Sequence, residues 1–254
     1  MNDVLVGTMY SGEGDFEYCC KAIKKQNVNC DHLIIKNKPE ADAHYELYKY
    51  FKDQNYKYLL KVDADMVMDR NTVVEEFINR INSYDRITFY VNDFFMNSKL
   101  TGMHMYNSTM EWDFDVAYKK RLSPDKYDAV HLGRSSKSRK FKIVAAKHCH
   151  FANDKQCFRF GYRGILKVKK TRLNLFLKHY QQKPHNHRLS LVASGIYAAN
   201  QLFDYTAFDY TEQFDKIFND YKSITVSPES VDNTMKGIWK KAKKMYNKES
   251  LKNQ

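Results

Sequence analysis

The chain has 254 residues, enough for one large domain or for a domain of about 150–200 residues with an appendage. Hydrophobic residues make up 43% and aromatics 15%, which excludes wholesale disorder, and no run approaches the roughly 18 uninterrupted apolar residues of a membrane span. The net charge of +12 is uneven: residues 1–130 hold 17 Lys/Arg against 21 Asp/Glu, and residues 131–254 hold 25 against 9, so the second half is the one suited to a polyanion.

Asp3-Val-Leu-Val-Gly7 is an apolar run ending at glycine before the polar Ser11-Gly-Glu-Gly14, the pattern of a buried strand leaving its sheet into a loop. No basic n-region or cleavage site accompanies this start, so a cytoplasmic product is expected. Helical spacing of Phe16, Cys19, Cys20 and Ile23 predicts a helix to Gln26, and His32-Leu-Ile-Ile35 a second strand. A helix from Ala41 to Gln54, a strand Tyr58-Leu-Leu-Lys-Val62, a helix from Thr72 to Asn82 and a strand Arg86-Ile-Thr-Phe-Tyr-Val91 follow. This alternation predicts an α/β fold with a mostly parallel sheet covered on both faces, its ligands lying beyond the carboxyl ends of the strands.

Residues 92–140 read as irregular, and Lys142-Ile-Val-Ala-Ala146 as a strand running into His148-Cys-His150. Residues 156–182 read as basic helix, 183–188 as a turn, and 189–223 as packed helices. At the end of the chain Met235, Ile238, Trp239, Ala242, Met245 and Tyr246 recur at 3–4 spacing among seven lysines. Such a basic amphipathic helix, 235–252, suits an anionic membrane surface, and equally a helix docked on its own domain.

The five cysteines, Cys19, Cys20, Cys30, Cys149 and Cys157, form no CxxC pair and read as reduced thiols. Cys30, His32, His148, Cys149 and His150 carry zinc-binding atoms, but their spacing matches no standard finger.

The strongest chemical signal is Leu59-Leu-Lys-Val-Asp63-Ala-Asp65, two carboxylates one residue apart at the end of a buried strand, able to converge on a hard cation. An EF-hand starting at Asp63 fails, because positions 6 and 12 of the loop are Met68 and Val74. A haloacid-dehalogenase-like phosphohydrolase with Asp63 as nucleophile remains an alternative.

Together with this motif, the strand end Val6-Gly-Thr8-Met-Tyr10, the helix start Glu40-Ala-Asp-Ala-His44 and the late Gln156-Cys-Phe-Arg-Phe-Gly161-Tyr-Arg163 resemble bacterial GT-A-fold, family-2-like nucleotide-sugar glycosyltransferases over residues 3–165. The resemblance implies a GT-A (Rossmann-like) catalytic domain over residues 1–165 and a helical, basic C-terminal region over 166–254 on the acceptor or membrane side. It implies a Mn²⁺ or Mg²⁺ cofactor bound by Asp65, with Asp63 on the metal or the ribose, and a nucleotide diphosphate-sugar donor, UDP favoured. His148 and His150, i and i+2 at a strand end, share a face and offer a further ligand, His150 being nearer the loop. Thr8, Tyr10 and Lys36 would flank the base, and Arg159 and Arg163, four apart on a helix, either approach the diphosphate or are ordinary surface charges.

An inverting transfer also needs a carboxylate base. Glu111, Asp113 and Asp115 alternate with Trp112 and Phe114 as on a strand, Asp113 being first choice and Trp112 either a sugar platform or core. The expected partners are a surface-polysaccharide or lipid-linked glycan acceptor and the inner face of the membrane. A non-catalytic basic module for nucleic acid is the other alternative, resting on charge alone, and no nucleic-acid partner is expected.

Overall fold

The computed structural model describes residues 2–112, 114, 137–166, 170–202 and 212–238. They divide into two compact units, one of residues 1–94 with 99–151, the other of residues 95–98 with 152–254.

The first unit holds a seven-stranded sheet in the order β2-β1-β3-β6-β5-β7-β4. Its strands are β1 (Val4–Tyr10), β2 (Asp31–Lys36), β3 (Tyr58–Lys61), β4 (Met66–Met68), β5 (Arg86–Asp93), β6 (Ser98–Asn107) and β7 (Ser138–His148). The helices α1 (Phe16–Lys24), α2 (Glu40–Asp53) and α3 (Val73–Ile81) intervene as the apolar spacing predicts. β1 pairs in parallel with β2 and β3, and β5 with β7; β6 runs antiparallel to β3, and β4 antiparallel to β7.

Two strands depart from the sequence reading. β6 falls within the stretch expected to be irregular. Its Gly and Asn depress β propensity, yet Met103 and Met105 alternate into the core at 0% exposure. β4 is three residues long, too short for any periodicity, and exists because β7 offers it a pairing edge.

Two apolar layers cover the sheet. One joins Val4, Val6, Leu60 and Val91 to Phe77 and Ile81 of α3, with Phe77 stacked on Phe89 at 3.7 Å. The other joins Leu5 and Leu59 to Leu47, Tyr48 and Phe51 of α2. Gly7 lies close under α2: a Cβ at this position would lie 2.3 Å from the Leu47 side chain and force it to shift.

Trp112 belongs to the second layer. It is only 6% exposed, packs against Tyr48 at 5.0 Å, Tyr106 at 5.7 Å and Phe51 at 5.9 Å, and is core rather than a sugar platform. Residues 110–112 are not strand, Glu111 is exposed, and Asp113 and Asp115 lie outside the described residues.

The second unit is helical: α4 (Asp154–Leu166), α5 (Lys170–Gln182), α6 (His187–Leu202), α7 (Glu212–Tyr221) and α8 (228–238). α6 is buried on nearly every face, and backbone comes close to backbone where Gly161 of α4 meets Val192 and Gly195 of α6 meets Phe158. Met235 and Ile238 of α8 are buried at 0% and 2% exposure, so the described part of the terminal apolar stripe packs on protein. The rest of the 235–252 segment, from residue 239, lies outside the described residues. No described helix is long and apolar enough to cross a membrane.

Candidate metal centre at the strand ends

The strand order explains why residues 28 to 84 positions apart in sequence meet. β7 lies between β5 and β4, with His148 opposite Asp93 on one side and Met66 on the other. The chain leaves β3, turns with Met66 N donating to Asp63 O at 2.9 Å, and enters β4. Asp65, immediately before β4, is thereby delivered to the end of β7, where its carbonyl accepts from Cys149 N at 2.8 Å.

Three side chains converge at this point. Asp65 Oδ2 lies 3.3 Å from His148 Nε2 and 3.6 Å from Cys149 Sγ, and Sγ lies 3.6 Å from Nε2. Among the described residues this is the one group of three such side chains spaced to hold a metal ion. Behind it, Asp93 Oδ2 accepts from His148 Nδ1 at 2.6 Å, with the Asp93 side chain fully buried. That bond places the proton on Nδ1 and turns Nε2 toward Asp65 and Cys149, the arrangement that orients metal-binding histidines. Cys149 adopts φ 56°, a left-handed conformation that non-glycine residues seldom take, and this bend carries its Sγ back to the group.

The electrostatics follow from burial and proximity. Burial opposes ionisation of Asp65, but the charge on His148 and the hydrogen bonds from His148 and Cys149 outweigh it and hold the carboxyl below its ordinary value. Burial would lower His148, but the Asp65 carboxylate and the hydrogen bonds to Asp65 and Asp93 draw it well above its ordinary value. Burial, with Asp65 adding and His148 opposing, pushes the Cys149 thiol well up. Both shifts favour an Asp65 carboxylate beside a protonated His148. A divalent cation would take the place of that proton.

The other expected residues fall as follows. Asp63 is not part of the triad: it is bound by Lys61 Nζ at 2.8 Å and keeps 36% of its side chain exposed. His150 also lies outside the triad, its ring set edge-on against Phe151 at 4.7 Å. Tyr10 and Lys36 come together, paired in register at the ends of β1 and β2, with Tyr10 stacked on Phe16 at 4.1 Å and Lys36 Nζ 5.7 Å from the same ring. Thr8 is fully buried one pleat below, its hydroxyl 3.0 Å from His32 Nε2. Arg159 and Arg163 lie on α4 of the second unit and each has partners there or elsewhere in the chain.

Sequence reasoning passed over Asp93 and gave Cys149 no part beside Asp65. Asp93 carried a usable signal, a carboxylate closing an apolar strand. An open groove of about 610 Å³ on α2, lined by Asp42, Tyr45, Glu46, Lys49, Tyr50 and Asp53, contains none of the strand-end residues.

No family model matches the chain, and no curated protein matches it. Among solved structures it is similar to A197 from STIV, at 11% identity over 58% of this chain and 85% of that one, with a TM-score of 0.41. It is similar to a protein from Desulfovibrio desulfuricans G20 described provisionally as a nucleotide-diphospho-sugar transferase, at 9% identity over 83% and 100%, TM-score 0.40. A mannosyltransferase from Pyrobaculum calidifontis, in complex with GDP-Man and Mn²⁺, is similar at 8% identity over 87% and 84%, TM-score 0.39. Likenesses this distant say nothing of the chemistry of the present chain.

Proposed function

We propose that the protein is a metal-dependent transferase that moves a sugar from a nucleotide diphosphate-sugar, UDP-linked by preference, to a surface-polysaccharide or lipid-linked glycan. The observation that carries this reading is the convergence of Asp65, His148 and Cys149 at the carboxyl ends of β3 and β7, with Asp93 of β5 bracing the histidine. The donor set suits a divalent cation: a carboxylate, an imidazole whose second nitrogen is already committed, and a thiol. A cation held there would neutralise the charge that develops on the diphosphate as the sugar leaves.

The chain's own residues divide the remaining work. Asp65 and His148, with Cys149, would hold the cation, and that cation would fix the charged end of the donor. Asp63, partly exposed beside Lys61, accepts a hydrogen bond from the ribose. Tyr10 and Lys36 bracket the base, with Thr8 behind them. A carboxylate of the 111–115 segment, Asp113 before Glu111 or Asp115, takes the proton from the acceptor hydroxyl. The basic second unit, including the 235–252 segment, serves the acceptor or an anionic membrane surface from the cytoplasmic side.

The test is a thermal-shift panel of UDP, GDP and CDP with and without divalent cation. A nucleotide at 100 times its Kd adds about 2.7 kcal/mol, a rise of roughly 5–10 °C for a chain of this size. The expected result is a rise only when nucleotide and cation are both present, lost in Asp65→Ala. No rise with any nucleotide would overturn the reading. Phosphate release from an aryl phosphate that stops in Asp63→Asn would put the phosphohydrolase in its place.

A further inference from the structure

We infer that Asp65, His148 and Cys149 form a three-ligand, tetrahedral centre for a thiol-accepting divalent cation, Zn²⁺ in chemical type, rather than the Mg²⁺ or Mn²⁺ site implied by the DxD motif. The inference deepens the proposed function, since it names the cation of the same site.

The spacing of the donor atoms is the first argument. With bonds of about 2.3 Å to sulfur and 2.0–2.2 Å to nitrogen and oxygen, a tetrahedral ion separates sulfur from nitrogen or oxygen by about 3.6 Å, and nitrogen from oxygen by about 3.4 Å. The corresponding distances here are 3.6 Å, 3.6 Å and 3.3 Å. An octahedral Mg²⁺ at about 2.0–2.1 Å would instead draw adjacent ligands to about 2.9 Å, and its preferred donors are all oxygen. The three atoms therefore already stand at the corners of one face of a tetrahedron.

Donor chemistry is the second argument. A thiolate is a poor ligand for Mg²⁺ and a good one for Zn²⁺, and imidazole suits zinc equally well. The carboxylate–histidine brace from Asp93 is the outer-shell device of zinc sites, and its 2.6 Å contact fixes the nitrogen that would coordinate. Access is the third. Cys149 is 3% exposed, but His148 and Asp65 keep 16% and 22% of their side chains open, so an ion can enter and a fourth position is left for water or a phosphate oxygen. Three protein ligands and one exchangeable place is the pattern of catalytic zinc. Asp63, engaged by Lys61, then becomes a neighbour of the centre rather than a ligand.

The experiment is a titration of the chelator-treated full chain with Co²⁺, a spectroscopic substitute for Zn²⁺, followed by displacement with Zn²⁺. One equivalent is expected to produce the intense visible bands of tetrahedral cobalt with a near-ultraviolet sulfur-to-metal band, both abolished by Zn²⁺. Cys149→Ser and Cys149→Ala should remove the sulfur band and weaken binding at least tenfold, with the fold verified by circular dichroism. Cys19→Ala, on α1, should keep the band. Asp93→Asn should keep it too, at 10–100-fold lower affinity. Weak six-coordinate bands with no sulfur contribution, or Mn²⁺ binding indifferent to Cys149→Ser, would overturn the inference. The nucleotide panel is read separately. Tetrahedral binding without any nucleotide shift sinks the transferase reading and keeps the centre, and a Mn²⁺-dependent nucleotide shift in Cys149→Ser does the reverse.

Discussion

Asp93 and His148 stand opposite one another on β5 and β7, and the Asp93 carboxylate accepts the His148 Nδ1 proton at 2.6 Å. The bond is buried on the Asp93 side and leads, through the imidazole, to Asp65 on the other. His148 is therefore set from behind by one strand and used from the front by another. Replacing Asp93 by Asn keeps the shape and removes the charge, so cation affinity should fall 10–100-fold while the secondary structure survives. Calorimetric titration compared with circular dichroism separates these two effects.

The same pair predicts a dependence on pH. His148 is raised above its ordinary 6.5, so its charge stabilises the cation-free protein fully below that value, and the stabilisation is lost as pH rises through the raised one. Asp65 is lowered from 3.8, so its contribution holds above that value and is lost as pH falls through the depressed one. Cation binding must displace the His148 proton, and affinity should therefore climb with pH across the range in which the cation-free form weakens. Melting curves with and without cation from pH 5 to 9 should draw steadily apart. A constant separation would show that no proton is released.

Arg70 ties the chain just after β4 to the sheet and to α3. It binds both oxygens of Glu76 at 2.7 Å, Asp69 at 2.6 Å and the Val144 carbonyl of β7 at 2.8 Å. Lysine cannot reproduce that fork, and Arg70→Lys is expected to cost about 1 kcal/mol, seen as a lower midpoint in urea. The hydrogen bond from Arg70 holds Glu76 below its ordinary 4.5, so this part of the stability is present at neutral pH and lost on acidification through the depressed value. Glu76→Gln should flatten the acid limb of the stability profile.

Gly161 and Gly195 mark the crossing of α4 and α6. A Cβ on Gly161 would lie 2.0 Å from the Val192 carbonyl oxygen, and one on Gly195 2.1 Å from that of Phe158. Neither obstacle is a movable side chain, so the helices must separate. Gly161→Ala and Gly195→Ala should each lose about 1–3 kcal/mol or more. Gly164→Ala meets only the Leu173 side chain, at 3.0 Å, and should be milder in the same denaturation series.

Trp112→Ala distinguishes core from sugar platform. Removing a buried indole should cost about 3–5 kcal/mol and lower the melting temperature outright. A selective loss of acceptor affinity at unchanged stability would contradict the packing around Tyr48 and Phe51.

By itself the sequence determined the α/β class, the first three strand–helix units and the Asp63-Ala-Asp65 motif at a strand end. Those features arise from local periodicity and from residues adjacent in the chain. The tertiary structure alone decided which carboxylate meets which histidine. Asp65, Asp93 and His148 converge because β7 is inserted between β5 and β4, an ordering that no local pattern encodes. It also admitted Cys149 in preference to His150. One residue with φ 56° bends the chain after β7, and the simple alternation of a strand, from which His150 drew its place, ends there.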